Sequence, residues 1–422
     1  MLLLIYFSIC DSPGHQPGPP VGQAVPVRAI MPSDDRLLAE LCELLTENSI
    51  GTARLTPRPR GGRLTGEPRR ALEQALASFE DSTTSLAFLV YGNGCFAVGR
   101  YADAAAVYKG ILEPQPDELD ARFNLGLTYL RLKDPRHAVE ALTMVLGQEP
   151  ALPEAHYQLG NAYDDMGEGE LALSGYDRAI GLQPGYLQAI YNKGVVLAKL
   201  GRHQEAVAEF DEAITLRPGL SNAYMNRGAS LDELGQHLAA INDYTVAIEC
   251  NPENADAYFN RARTNYFLEK ISATVEDYSK VISLMPDDAE AYNNRGLAFD
   301  ALGDYESALD DYSKAVSLRP DFAESLSNKG AALEALGNTE EALDNYLAAL
   351  TAAPGFAAAH YNAARLYAQL SDVDRCLPHL EKAMQLVPDL RLEANDDDEL
   401  GWVLKLSRLK EERGPGSEDQ RG

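Results

Sequence analysis

Apolar residues recur at helical spacing in two parts of the chain. Leu37, Leu38, Leu41, Leu44 and Leu45, behind the possible N-caps Asp34 and Asp35, predict a short amphipathic helix over 34–50. Beyond residue 80 the pattern itself repeats. Prolines stand at Pro116, Pro150, Pro184, Pro218, Pro252, Pro286, Pro320, Pro354 and Pro388, always 34 residues apart. A small residue lies 24 places before each: Gly92, Gly126, Gly160, Gly194, Gly228, Ala262, Gly296, Gly330 and Ala364. A second column, 12 places before, holds Ala104, Ala138, Ala172, Ala206, Ala240, Thr274, Ala308, Ala342 and Cys376. Eight places before stand Tyr108, Leu142, Tyr176, Phe210, Tyr244, Tyr278, Tyr312, Tyr346 and Leu380.

Each column has a packing reason. Two helices of a hairpin approach closely only where small residues meet. Gly99, Gly167, Gly201, Gly235, Gly303 and Gly337 supply a left-handed stop for the first helix, and the proline ends the second. The aromatic column predicts filling between hairpins. A unit of this kind buries its apolar face only by stacking on its neighbours. Repeat six departs most, with Asn265, Glu269 and Thr274 where an apolar residue, Gly and Ala are usual.

This pattern resembles the tetratricopeptide repeat. Nine units cover 85–390 without an insertion (85–118, 119–152, 153–186, 187–220, 221–254, 255–288, 289–322, 323–356 and 357–390). The resemblance implies an all-α, right-handed solenoid of helix-turn-helix hairpins, with the first helices lining a concave groove that binds peptides or protein segments. Around the array the sequence predicts a leader over 1–33, a basic linker over 51–68, a capping half-hairpin over 69–84, a capping helix over 391–412 containing Trp402, and a tail over 413–422.

Two residues before the small site stands an amide column: Asn124, Gln158, Asn192, Asn226, Asn260, Asn294, Asn328 and Asn362. A carboxamide both donates and accepts, so it can pair with the backbone of an extended peptide. The column is similar to the asparagine ladder of the O-linked N-acetylglucosamine transferase repeats, and these eight residues are the expected peptide contacts. Solvation of a polar helix face is the plain alternative. Next to it run Lys193, Arg227, Arg261, Arg295 and Lys329, which either meet an acidic ligand or cover neighbouring hairpins and pair with acids such as Asp232, Glu233, Asp300 and Glu334. Tyr157 and Tyr191 are candidate groove aromatics, with core packing as the alternative.

Composition narrows the function. There are 64 Asp and Glu against 37 Lys and Arg, a formal charge of −27, and residues 1–80 hold only 9 acids and 8 bases, so the acidity belongs to the repeats and their cap. A broad nucleic-acid surface is excluded, because phosphate affinity needs clustered cations. The linker's Arg54, Arg58, Arg60 and Arg63 either tether the array or dock on an acidic surface. Cys10, Cys42, Cys95, Cys250 and Cys376 are odd in number and far apart, which argues for a reducing, cytoplasmic compartment. Export with lipid attachment at Cys10 is the alternative, opposed by the absence of Lys or Arg before the apolar start. No metal, cofactor or catalytic motif is written in the sequence, and the 32 residues after Leu390 are too few for a catalytic domain. The sequence therefore predicts a non-enzymatic scaffold that binds a protein segment. A lipid-anchored adaptor and a regulatory subunit of a separate enzyme are the alternatives; the oligomeric state is unknown.

Overall fold

The computed structural model describes Arg70, residues 85–397 and residues 400–405. The predicted leader (1–33), amphipathic helix (34–50), linker (51–68) and tail (413–422) lie outside the described residues, as does the half-hairpin (69–84) apart from Arg70. Within the described residues all regular structure is helical. The helices come in consecutive pairs: α1 (Ser85–Ala97) with α2 (Tyr101–Leu112), α3 (Leu119–Arg131) with α4 (Pro135–Gln148), α5 (Pro153–Asp165) with α6 (Gly169–Leu182), α7 (Leu187–Lys199) with α8 (His203–Leu216), and α9 (Ser221–Glu233) with α10 (His237–Cys250). Then follow α11 (Ala255–Phe267) with α12 (Ile271–Leu284), α13 (Ala289–Leu302) with α14 (Tyr305–Leu318), α15 (Ala323–Ala335) with α16 (Thr339–Ala352), and α17 (Ala357–Gln369) with α18 (Val373–Leu386). A short α19 (Leu390–Asp396) comes after them.

The chain forms two compact units, Met1–Asp243 and Tyr244–Gly422, with the boundary inside α10. Within each unit the two helices of a pair pack on each other, and the second packs on the first helix of the next pair. Successive first helices also touch, α3 with α5 and α7 with α9 in the first unit and α13 with α15 in the second.

What closes a hairpin is a side chain laid across a glycine. A β-carbon at Gly160 would stand 2.6 Å from the Tyr176 ring, one at Gly194 2.8 Å from Phe210, one at Gly296 2.7 Å from Tyr312, and one at Gly330 2.8 Å from Tyr346. The aromatic column thus lies across the glycine of its own hairpin, where the sequence pattern suggests the gap between hairpins. These four rings are fully buried, each contributing about 2–3 kcal/mol of transfer free energy.

Turns and ends follow from the same columns. The six predicted glycines stop the first helices with φ between 73° and 85°. Lys133, Glu269 and Ser371 take the same left-handed conformation at φ 59°, 57° and 60°, at about 1–2 kcal/mol each for the β-carbon. Asp134, Asp304 and Asp372 cap the second helices α4, α14 and α18 through their side chains, and Asn254 and Asp288 cap α11 and α13. The fourth residue of three first helices reaches back to the preceding proline carbonyl: Arg122 Nη2 to Pro116, His156 Nε2 to Pro150 at 2.9 Å, and His360 Nε2 to Pro354 at 3.1 Å. In repeat six the unusual polar residues find partners: the Thr274 hydroxyl donates to the Ala262 carbonyl at 3.3 Å, and Asn265 Nδ2 to Asp277 at 3.5 Å.

At the C-terminal end the predicted single capping helix is broken. After α19, Asp397 is extended and its carboxylate accepts from the Leu400 N–H at 2.8 Å, starting a new helical stretch over 400–405. Leu400 and Val403 seal against Cys376, Leu380 and Ala394, whereas Trp402 stays 38% exposed, so the aliphatic residues do the covering. Residues 406–412 of the predicted cap lie outside the described residues.

Two glycines of α6 make the close approach testable. A β-carbon at Gly175 would stand 2.9 Å from the Gly160 backbone, whereas one at Gly181 meets nothing within 4 Å. Gly175→Ala is expected to lower stability by about 1–3 kcal/mol, and Gly181→Ala to raise it by about 0.5–1 kcal/mol through helix propensity. Urea unfolding followed by circular dichroism reads both; the same sign for the two variants would contradict the contact.

Candidate peptide-binding face

The amide column starts two residues before the small site of each first helix, so the stacking of first helices decides what its carboxamides meet. In the first unit they turn inward. Asn124, Gln158, Asn192 and Asn226 are 0%, 5%, 8% and 1% exposed. Asn124 Nδ2 donates to Asn93 Oδ1 at 2.9 Å, which also accepts from the Tyr108 hydroxyl at 2.7 Å. Asn192 Nδ2 donates to Asn161 Oδ1 at 2.9 Å and to the Tyr157 hydroxyl at 3.2 Å, while Asn161 accepts from Tyr176 and donates to Gln158 Oε1. Asn226 Nδ2 donates to the Tyr191 hydroxyl at 2.8 Å. Asn192 Oδ1 is buried without a hydrogen-bond partner among the described residues.

These contacts tie each first helix to its neighbour. A buried amide already paired gains little by exchanging its partner for a peptide. Tyr191 is buried, and burial pushes its hydroxyl pKa upward. Tyr157 is half-buried against Tyr176 and Tyr186, at ring distances of 6.0 and 5.2 Å.

The second unit differs. Asn260, Asn294, Asn328 and Asn362 are all half-buried. Asn328 Nδ2 donates to Asn293 Oδ1 at 3.1 Å, and Asn293 Nδ2 to Asn294 Oδ1 at 3.2 Å. Asn260 and Asn362 make no side-chain hydrogen bond among the described residues. The acceptors and donors that absorb the column elsewhere, Asn93, Asn161 and Asn293, sit at other repeat positions, and no single-column pattern marks them in the sequence.

Four of the five residues of the basic column are paired with side chains of the second helices. Lys193 Nζ pairs with Glu209 at 2.8 Å and Asp177 at 2.7 Å. Arg227 grips Asp243 with two 2.7 Å bonds and reaches Asp211 at 2.5 Å. Arg261 holds Asp277 at 2.9 and 2.7 Å and donates to the Thr245 hydroxyl at 3.0 Å. Arg295 repeats this with Asp311 at 2.8 and 2.7 Å and Ser279 at 3.0 Å. Each of these cations therefore joins a first helix to the second helix of its own hairpin and that of the hairpin before.

Tyr224, Tyr258 and Tyr292 lie under the three guanidinium groups at 5.4, 5.6 and 5.8 Å. The expected choice between ligand contact and structural pairing thus falls to pairing for these four residues, but with acids 16 residues away rather than Asp232, Glu233, Asp300 or Glu334. Those have other contacts: Asp232 meets His237, Asp300 accepts from Tyr312, and Glu334 pairs with Arg365; Glu233 shows no ion pair among the described residues. Lys329, with Ser313 and Asn345 at its 16-residue positions, makes no ion pair among the described residues.

Other chemistry is sparse among the described residues. No group of three or more His, Cys, Asp and Glu is placed to hold a metal, and no helix is long and apolar enough to cross a membrane. Cys95 and Cys376 are buried, and burial pushes their thiols up to about 12 and about 11, which keeps them protonated.

The forked pairs give a sharp expectation. Arg295→Met would strand the Asp311 carboxylate, whose side chain is 7% exposed, and should destabilise the second unit by about 3 kcal/mol. Lys329→Met should change stability by less than about 0.5 kcal/mol. Chemical denaturation of both variants distinguishes them; a neutral Arg295→Met would deny the pair its structural role.

Four family models described as tetratricopeptide repeat match the chain, at residues 96–159, at 157–221 and 327–389, at 244–271, and at 289–322. Among solved structures, YrrB, described as a repeat protein with an unusual peptide-binding site, is 24% identical with a TM-score of 0.39, covering 45% of this chain and 97% of its own. MamA from Desulfovibrio magneticus RS-1 is 24% identical with a TM-score of 0.39, covering 41% and 97%. A tetratricopeptide repeat protein from Parabacteroides merdae is 18% identical with a TM-score of 0.44, covering 61% and 97%. No curated protein matches the chain. The repeat models together span more than half of the 422 residues, on helices paired as the 34-residue period requires, and the chain belongs to the tetratricopeptide repeat family.

Proposed function

We propose that this protein is a non-enzymatic scaffold of nine repeats that holds an extended segment of a partner protein along its first helices. The contact is concentrated in the second unit, at Asn260, Asn294, Asn328 and Asn362. One observation carries this assignment: Asn260 and Asn362 make no side-chain hydrogen bond among the described residues, whereas the column of the first unit is buried, with Asn124, Asn192 and Asn226 spent on neighbouring helices. A half-buried carboxamide that donates and accepts at once suits a peptide backbone, whose N–H and C=O need partners when water is displaced.

Charge sets the class of segment. The repeats and cap carry most of the −27 formal charge, and the strongest cations of the first helices are already neutralised by their own acids. A neutral or basic segment is therefore favoured over an acidic one or a nucleic acid.

Selection of a displayed random-peptide library on the full chain tests this, with the affinity of recovered peptides measured by calorimetry. Asn260→Ala combined with Asn362→Ala should weaken binding at least tenfold, at unchanged helical content, since each lost backbone pair is worth about 1 kcal/mol. Asn124→Ala should leave the affinity of a correctly folded protein unchanged. Equal affinity of the double variant and the wild type would remove the second unit as the binding face.

A further inference from the structure

The last hairpin holds two histidines 19 residues apart in sequence. His360 on α17 and His379 on α18 face each other Nδ1 to Nδ1 at 2.9 Å, with ring centroids 5.1 Å apart. The His360 Nε2 contact to the Pro354 carbonyl, at 3.1 Å, fixes the proton arrangement. A carbonyl only accepts, so His360 carries its proton on Nε2 and offers the Nδ1 lone pair, and His379 donates its Nδ1–H into it. A first added proton can be held on His379 Nε2. A second would require an N–H on both Nδ1 atoms, pointed at each other across 2.9 Å.

Among the described residues the surroundings offer no compensation. From α17 the pair is faced by Tyr367, whose ring stacks on His379 at 5.7 Å. On α18 itself, Arg375 lies over Tyr367 and is paired with Asp372, and Cys376 is buried. Glu340, Glu341 and Asp344 of α16 and Arg391, Glu393 and Asp396 of α19 point to solvent. Burial, then the charge of His360, lower the pKa of His379 from its usual value, with no other charged group among the described residues bearing on it. The helix carrying His379 is weakened further by Pro378, which withholds one backbone N–H from its ladder.

We propose that the His360–His379 pair makes the α17–α18 hairpin an acid-operated joint, closed while the pair shares at most one added proton and opened when both imidazoles are protonated. The sign follows from proton counting. In the opened hairpin His379 regains its ordinary value near 6.5, so below that pH the open form binds more protons than the closed one. The contribution to stability is complete above about pH 6.5 and is lost as pH falls through the lowered value of the closed form. Opening should rise up to about tenfold per pH unit over that range, one proton being linked to the transition. The chain contains its own control: His156 makes the same contact to Pro150 but has Gly175 where His379 stands in the last repeat.

Hydrogen exchange of the full chain between pH 7.5 and 5.0, corrected for intrinsic rates, tests the joint. Amides of α17 and α18 should lose at least fivefold in protection on acidification, while those of α5 and α6 hold theirs. His379→Gln should abolish the pH dependence of α17 and α18. Unchanged protection of the last hairpin, or the same acid loss in His379→Gln, would overturn the proposal. Proton titration of the wild-type imidazoles by NMR reads the pair directly: two independent steps near 6.5 for His360 and His379 would also overturn it.

Discussion

A ring lying across a glycine is the contact on which the rest depends. Because Gly160, Gly296 and Gly330 let Tyr176, Tyr312 and Tyr346 pack closely on the first helix, the hydroxyls of these tyrosines reach side chains of that helix. There they meet Asn161 at 2.9 Å, Asp300 at 2.5 Å and Glu334 at 3.1 Å. The apolar body of each tyrosine closes the hairpin and its polar tip organises the line of first helices. Hairpin closure and the chemistry of the inner residues are thus one arrangement, and a change at a glycine would reach both.

The two units use one amide column in different ways. In the first, Asn93 and Asn161 stand where they can take the column's donors, so the carboxamides join first helix to first helix. In the second, Asn293 serves Asn328, while Asn260 and Asn362 make no side-chain hydrogen bond among the described residues. The same residue type at the same repeat position therefore fastens one helix to another or stays unpaired among the described residues, depending on which side chain the neighbouring first helix sets beside it.

Much of the fold was legible because it rests on columns. The 34-residue proline interval gave the helix ends and the small columns the close approach of paired helices, whereas the aromatic column, expected between hairpins, lies across the glycine of its own hairpin. The glycines gave the left-handed turns, but the same conformation at Lys133, Glu269 and Ser371 was not read from the sequence, because residue type argues against it. Less of the binding face was legible. A polar residue on a first helix reads as groove-facing whether or not a side chain on the next helix takes its donors, and that depends on interhelical distance. The ion pairs were hidden for a similar reason: Arg227 to Asp243 spans 16 residues and crosses a turn, so acids nearer in sequence were the natural candidates. In the cap the inward-facing positions fall to Leu400 and Val403 rather than to the larger Trp402, which size alone would favour for burial.

The cations that join three helices also limit how the chain could be rebuilt. Lys193 and Arg227 take a carboxylate from the hairpin before, Asp177 and Asp211, whereas Arg261 and Arg295 take a hydroxyl, Thr245 and Ser279. A repeat therefore carries half of its neighbour's electrostatic fitting. Although the 34-residue period would let any unit be excised or transposed in register, repeats drawn from the two halves would meet mismatched junctions, with one carboxylate too many or too few. The array is periodic in backbone and ordered in charge, and its sequence of repeats is fixed at the seams.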